Sequence, residues 1–337
     1  MIESMISTNS RIVVTGACGS VGSELVRRLL SLGHTVCALD QSEDGLFRLD
    51  QELNEIAEGR LRSFLGNIRD EYRLRMAFEG VDIVFHCAAL KHVYLSEYNP
   101  FEAMQTNIEG SHNVIQAAIA ADVDRVIFTS SDKAVNPTST MGASKLLGER
   151  LFVSANHHAG KHKTRFSCVR FGNVLNSNGS VLTIFKRQLE NGSPITITSK
   201  QMTRFFITME QAVDLCLYAA SEMLGGEIFV LNMGSNDIMT LARVVSGDES
   251  PEFIEIGVKP GEKLYEELVT ENEAPRTVYD DHVYVVLPDT VDLMSDETRH
   301  EYSKYNDFPR LNAPLRSDQD LLTEEEVANI LSFSSLI

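Results

Sequence analysis

The sequence predicts an α/β protein built on a doubly wound parallel sheet, with a smaller C-terminal lobe. Three observations carry that expectation. Short apolar runs alternate with amphipathic helical stretches through the N-terminal half, a pattern that fits a parallel sheet covered on both faces. A glycine triplet, Gly16, Gly19 and Gly22, lies between the first apolar run and the first helical stretch. Beyond residue 170 the alternation gives way to a loop-rich, irregular pattern.

The elements follow in order. RIVVTG (11–16) reads as a strand leading into the helix SVGSELVRRLLSL (20–32); HTVCALD (34–40) leads into GLFRLDQELNEIA (45–57), and RLRSFLG (60–66) is a third strand. VDIVFHCAA (81–89) precedes a helix after Pro100, and RVIFTSS (125–131) precedes the helix MGASKLLGERLFVSA (141–155), which ends near His157, His158 and Gly160. In the second half FGNVLNSNGS (171–180), TSKQMTRF (198–205) and KPGEK (259–263) read as loops. Two capping boxes, Thr208-x-x-Gln211 and Thr323-x-x-Glu326, open helices. Residues 10–170 are therefore expected to form the dinucleotide-binding unit, and 171–337 predominantly the substrate lobe, with part returning to the sheet.

Composition narrows the function classes. With 48 acidic against 30 basic residues the net charge is −18, and residues 246–337 alone hold 22 acids against 7 bases, counted from the sequence. Such a surface repels nucleic acid and anionic membrane. Against it Lys259, Lys263 and Arg276 stand out as cations suited to an anionic substrate. No uncharged apolar run approaches the roughly 18 residues of a membrane span, and MIESMISTNS has no export pattern, so a cytoplasmic home is expected. The five cysteines are scattered, without a CxxC pair, and the histidines form no HExxH; neither a disulfide framework nor a metal site is expected.

The glycine triplet carries chemistry. Glycine lets the backbone come close to a pyrophosphate seated at a helix N-terminus, which places Gly16, Gly19, Ser20, Val21 and Gly22 against the cofactor. The spacing is GxxGxxG, and Asp40 ends the second strand 18 residues after Gly22, where a ribose-binding carboxylate is needed. No arginine follows Asp40 directly, which favours NAD over NADP, because a carboxylate repels a 2′-phosphate.

These glycines, HCAA (86–89), Asn107 and the lysine of the helix after TSS resemble the extended short-chain dehydrogenase/reductase family. ALKHVYLSEYNPFEAMQTN (89–107), SSDKAVNPTSTMGASK (130–145), RFGNVLNSNGSV (170–181), MTRFFIT (202–208) and KPGEKLYEEL (259–268) resemble one branch of it, the UDP-N-acetylglucosamine 4,6-dehydratases of surface-glycan synthesis. Longer members carry N-terminal membrane helices, and this chain resembles the short type. The resemblance implies a tightly bound NAD regenerated in each turnover, UDP-N-acetylglucosamine as substrate, and a homo-oligomer. It adds Asn67, Ile68, Ala88, Ala89, Lys91, Asn107 and Lys145 to the cofactor-binding set.

The implied reaction oxidises C4 of the sugar, removes the C5 proton, expels the C6 hydroxyl and returns the hydride to C6. In the family the aspartate is the acid at the C6 oxygen and the lysine the base at C5, roles that fall here on Asp132 and Lys133; a surface ion pair at a strand end is the other reading. The usual tyrosine four residues before the helix lysine is replaced by Met141, ahead of Lys145. A thioether accepts no proton at neutral pH, so Lys133 is the expected substitute base, with Ser131 orienting the C4 hydroxyl; Met141 also suits plain core packing. For the diphosphate and sugar the candidates are Lys91, Asn173, Ser180, Val181, Arg204, Lys259 and Arg276. A UDP-sugar 4-epimerase and a catalytically inactive dinucleotide sensor are the rival readings.

Overall fold

The computed structural model describes residues 6, 7, 9–177, 179–291 and 296–333. The strands are β1 (Arg11–Thr15), β2 (Thr35–Asp40), β3 (Leu61–Leu65), β4 (Ile83–His86), β5 (Arg125–Ser131), β6 (Arg165–Phe171), β7 (Asn173–Val174) and β8 (Ile195–Ile197). They continue with β9 (Thr203–Ile207), β10 (Ile228–Leu231), β11 (Ser235–Asp237), β12 (Phe253–Glu255), β13 (Glu267–Val269), β14 (Thr277–Tyr279), β15 (Val283–Val286) and β16 (Leu315–Arg316). Nine of them form one sheet in the order β14-β15-β10-β6-β5-β4-β1-β2-β3. From β3 to β10 all neighbours are parallel, and β15 and β14 close the far edge antiparallel. Strand order reverses between β1 and β4, and at such a switch point the loops beyond the strand ends part to leave a crevice.

Helices cover both faces because their apolar residues recur at helical spacing. On one face Leu25, Val26, Leu29 and Leu30 of α1 (Ser20–Ser31) pack with Leu46, Leu49 and Leu53 of α2 (Glu43–Ala57). On the other lie α3 (Glu71–Phe78), α6 (Gly110–Ala120) and α7 (Thr140–His158), which bury Phe78, Val114 and Phe152. Between α3 and α6 run two short helices, α4 (Val93–Tyr98) and α5 (Pro100–Ala103), and a π-helical turn over Met104–Glu109. The helix expected after Pro100 is thus interrupted by a π-turn, a device that re-aims a side chain within a helix.

The C-terminal half contributes α8 (Val181–Glu190), α9 (Met209–Glu222), α10 (Ile238–Ser246), α11 (Asp296–Glu301) and α12 (Glu324–Phe333). Helix α9 joins the α1 face through Ala212, Cys216 and Ala219, while Leu182, Phe185, Leu241 and Leu331 form a separate small core. Both capping boxes form: Thr208 with Gln211, and Thr323 with Glu326, whose carboxylate receives the Thr323 amide at 2.8 Å. The segment read as a loop at TSKQMTRF is a loop only in part. Its Thr203–Phe205 end lies in β9, which pairs antiparallel with β11 in a small sheet that also takes in β7. The burial that makes it a strand comes from neighbours distant in sequence.

Candidate functional site

The crevice is floored by the ends of β1, β4 and β5. Two connected cavities occupy it, of about 600 Å³ and about 420 Å³, sharing Lys91, His92, Lys133, Asn173, Gly179 and Val181 as a common wall. Gly16, Gly19, Ser20, Val21 and Gly22 line the larger one. Gly16 adopts φ +68°, and a Cβ there would stand 2.6 Å from the Ala88 amide nitrogen; one on Gly22 would stand 2.2 Å from the Gly16 carbonyl. Only glycine allows so tight a turn. Gly19 caps α1 without a side-chain bond, so the N-terminal end of that helix meets the cavity as bare backbone. Those features fit a pyrophosphate, with the helix dipole and amides as its partners.

Asp40 accepts the Cys18 amide at 2.9 Å and the Ser42 amide at 2.9 Å, so it locks the glycine turn onto the end of β2. Each carboxylate oxygen retains capacity for a second donor such as a ribose hydroxyl. Nearby Asn67 donates to Gln41 at 3.0 Å. Ala88 sits behind Gly16, while Ala89 and Lys91 line the cavity. Burial lowers the Lys91 pKa.

Two residues of the expected cofactor set turn their side chains to the protein. Ile68 is buried against Gly110 in the sheet-facing core, where it packs the fold and does not line the cleft. Asn107, carried by the π-turn, spends its amide on the protein: it receives the Leu90 amide at 2.8 Å and donates to the Leu90 carbonyl at 3.0 Å and to Ser144 at 2.9 Å. It braces the loop after β4 against α7.

The reactive groups gather where β5 ends. Ser131, Lys133, Met141 and Lys145 all line the larger cavity. Lys133 Nζ reaches Asp132 Oδ1 at 3.0 Å and Asn173 Oδ1 at 3.0 Å, and the Ser131 hydroxyl donates to Asp132 Oδ1 at 2.6 Å. Helix α7 approaches this turn closely, because a Cβ on Gly142 would stand 2.3 Å from the Lys133 carbonyl. Lys145 donates to the Thr129 carbonyl at 2.8 Å and lies over the Phe128 ring. Burial pushes its ammonium down to about 8, against the opposing pull of Cys87, Glu149 and Cys168.

Asp132 departs from expectation. Its side chain is 0% exposed and does not line either cavity; Ser131 and Lys133 stand between it and the cleft. Both bond its Oδ1 and connect it to the cleft. Its Oδ2 has no hydrogen-bond partner among the described residues.

The substrate candidates divide. Asn173, Ser180 and Val181 line the larger cavity, with Ser180 also capping α8 by accepting the Thr183 amide. Lys259 is exposed on the rim of the smaller cavity. Arg204 also lines it, but donates to the carbonyls of Thr203 at 2.7 Å and Lys263 at 2.8 Å, and so holds the KPGEK loop. Arg276 lies elsewhere: it bonds the Leu287 carbonyl and lines neither cavity, because the turn before β14 turns it toward Glu273. Sequence reasoning passed over Glu266, which is buried, lines the smaller cavity and lies 3.5 Å from Lys263 Nζ. Its only signal was membership of the KPGEKLYEEL segment.

Among the described residues no helix is long and apolar enough to cross a membrane, and no cluster of three or more His, Cys, Asp or Glu could hold a metal ion.

The family model described as "Polysaccharide biosynthesis protein" matches residues 12–288. An "Uncharacterized membrane protein MJ1061" of Methanocaldococcus jannaschii is 49% identical over 83% of this chain and 86% of its own length. A UDP-N-acetylglucosamine 4,6-dehydratase (inverting) of Campylobacter jejuni is 38% identical over 85% of each chain. A UDP-glucose 4-epimerase of Rickettsia conorii is 36% identical over 87% of this chain and 85% of its own. The crystal structure of Pen from Bacillus thuringiensis superposes with a TM-score of 0.89 at 36% identity, covering 99% of this chain and 100% of that one.

Proposed function

Since the chain belongs to the polysaccharide biosynthesis family, we propose that it is an NAD-dependent UDP-N-acetylglucosamine 4,6-dehydratase, a lyase that yields a UDP-4-keto-6-deoxy-hexosamine. The observation that carries this reading is Lys133, whose Nζ stands at the cleft between Asn173 and a buried carboxylate, Asp132. An acid and a base side by side at a strand end are what an elimination across C5 and C6 requires.

Bound at the glycine turn, NAD supplies an acceptor for the C4 hydride and gives it back at C6, so it is unchanged over a turnover. The chain's own groups manage the protons. Lys133 takes the proton of the C4 hydroxyl, oriented by Ser131, because Met141 cannot. That proton passes to Asp132, 3.0 Å away. Lys133 then removes the C5 proton, and Asp132 returns its proton through the Ser131 hydroxyl to the C6 oxygen, which leaves as water. Reprotonation of C5 by Lys133 completes the product: two protons leave the sugar and two are given back. Lys145 holds the nicotinamide ribose, and Lys91, Asn173, Ser180, Val181 and Lys259 hold the nucleotide sugar.

A cytoplasmic location, where nucleotide sugars are made, and a homo-oligomer belong to the same proposal. Exposed Tyr94, Leu95, Tyr98, Phe101 and Met104 on α4, α5 and the π-turn supply an apolar surface for self-association.

Incubation with UDP-N-acetylglucosamine in heavy water, followed by proton NMR, tests the reading. Dehydration replaces the C6 methylene signals with a methyl group and puts deuterium at C5. A C4-inverted sugar with its C6 hydroxyl intact would identify a 4-epimerase, and an unchanged sugar a sensor.

A further inference from the structure

His86, at the end of β4, is closed to solvent and lines neither cavity. Its ring is walled by Phe128 and Phe152, with centroids at 5.6 and 5.7 Å. Both ring nitrogens are nonetheless engaged: Nδ1 lies 2.7 Å from the Thr15 hydroxyl and Nε2 3.1 Å from the Ser111 hydroxyl. The Ser111 hydroxyl donates to the Asn107 carbonyl at 2.7 Å, and the Ala88 amide donates to Thr15 Oγ1 at 3.4 Å.

Counting protons fixes the direction of every bond. Ser111 has one hydroxyl proton and spends it on the Asn107 carbonyl, so toward His86 it only accepts, and Nε2 carries the ring proton. Burial, with the Lys145 charge nearby, brings the imidazole down to about 3, so the ring is neutral and Nδ1 is bare. Nδ1 therefore accepts the Thr15 hydroxyl proton. The chain runs one way, from the Ala88 amide through Thr15, His86 and Ser111 to the Asn107 carbonyl.

The two ends of the chain meet the two halves of the site. Ala88 backs the glycine turn, since a Cβ on Gly16 would stand 2.6 Å from its amide nitrogen. Asn107 bonds Leu90 and Ser144, and the Ser144 hydroxyl donates to the Met141 carbonyl at 2.7 Å in the first turn of α7. A serine that bonds the carbonyl four residues back loosens its helix, and Ser111 does so directly after the π-turn that carries Asn107.

We propose that His86 is a positioning residue for the dinucleotide site: fixed as its Nε2–H tautomer, it ties the glycine turn after β1 to the π-turn that braces α7. Enclosed by phenyl rings, the chain lies in low-dielectric surroundings where each bond strengthens the next. A change at Ser111, which lines neither cavity, is carried to the amide behind Gly16, at the turn where a pyrophosphate would seat.

The inference rests on the dinucleotide reading only for what the turn holds, so its test has two parts. The first needs no cofactor: nitrogen NMR of protein carrying 15N-labelled histidine, with His86 assigned through its contacts with the Phe128 and Phe152 rings. Its Nε2 stays protonated and its Nδ1 bare from about pH 5 to about pH 8, where an unburied histidine titrates. Ser111→Ala moves the signal toward the Nδ1–H form, because Nε2 loses its acceptor. A wild-type ring protonated on Nδ1, or one that gains a second proton in that range, overturns the chain. The second part measures NAD affinity by calorimetry. Ser111→Ala weakens it about tenfold and has no further effect in the Thr15→Val protein, where the chain is already cut. Thr15→Ser, which keeps the hydroxyl, restores most of what Thr15→Val loses. An equal loss in both backgrounds shows two independent contacts, and a lowered melting temperature with unchanged affinity shows a merely structural chain; either result overturns the positioning role. Wild-type protein that binds neither NAD nor NADP overturns the dinucleotide reading instead, and the imidazole spectrum still decides the chain.

Discussion

Arg170 and Glu149 form a buried ion pair, with Nη2 2.7 Å from Oε2 and Nε 3.0 Å from Oε1, tying β6 to α7 one helical turn beyond Lys145. Glu273 completes the group from the turn before β14, at 3.1 Å from the same guanidinium. The cluster is closed to solvent and shares α7 with the site, so it sets where Lys145 and Met141 stand.

The cluster makes the fold acid-labile. Burial alone would raise the Glu273 carboxyl, but Arg170 outweighs it and holds the group down to about 2, from 4.5. A folded pKa below the unfolded one means stability that is complete above the unfolded value and lost as pH falls through the window toward the folded one. The pair of values corresponds to about 3 kcal/mol. Urea midpoints measured across that range should fall steeply in the wild type and less in Glu273→Gln, which is less stable at neutral pH. Parallel curves for the two proteins would show that Glu273 carries none of the effect.

Lys133 and Asp132 should separate by step. Lys133→Ala loses the base for both the C4 hydroxyl and C5, so product formation drops by about 10²- to 10⁴-fold and recovered substrate carries no C5 deuterium. Asp132→Asn leaves Lys133 able to take the C4 proton but not to pass it on, so reduced cofactor still forms in a single turnover while elimination falls. Deuterium at C5 in Lys133→Ala at the wild-type rate would move the base elsewhere.

Cofactor choice should follow Asp40. Its carboxylate is fixed at the end of β2 by the Cys18 and Ser42 amides, and a ribose 2′-phosphate brought beside it would be repelled. Protein denatured straight after purification should release NAD in excess of NADP, and Asp40→Asn should raise the NADP share. A wild-type extract dominated by NADP contradicts this, and Arg48 in α2 is the cation to test next.

Lys145 should make dinucleotide binding pH-dependent. Burial brings its ammonium down to about 8, so the charge is present below that pH and lost above it. Calorimetric NAD affinity should weaken as pH rises through about 8, and Lys145→Met should bind weakly and with a flat profile. An affinity in the wild type that does not change across that range means that the charge does not hold the cofactor.

The alternation of short apolar runs with amphipathic helices and the glycine spacing were enough to establish the parallel sheet and the tight glycine turn at the start of α1, because these depend on local periodicity and on backbone freedom at single residues. Ser131, Lys133, Met141 and Lys145 were legible for the same reason: a strand end and one helical turn bring them together. Burial and partner choice were not legible. Asn107 and Arg204 look like ligand-binding residues in sequence, yet one spends its amide on the Leu90 backbone and the other donates to the carbonyls of Thr203 and Lys263. Arg276 is turned away by Glu273 and Leu287. The burial of Asp132 beneath the cleft was decided only by tertiary packing, since the cost of desolvating a charge depends on which chain segments close over it.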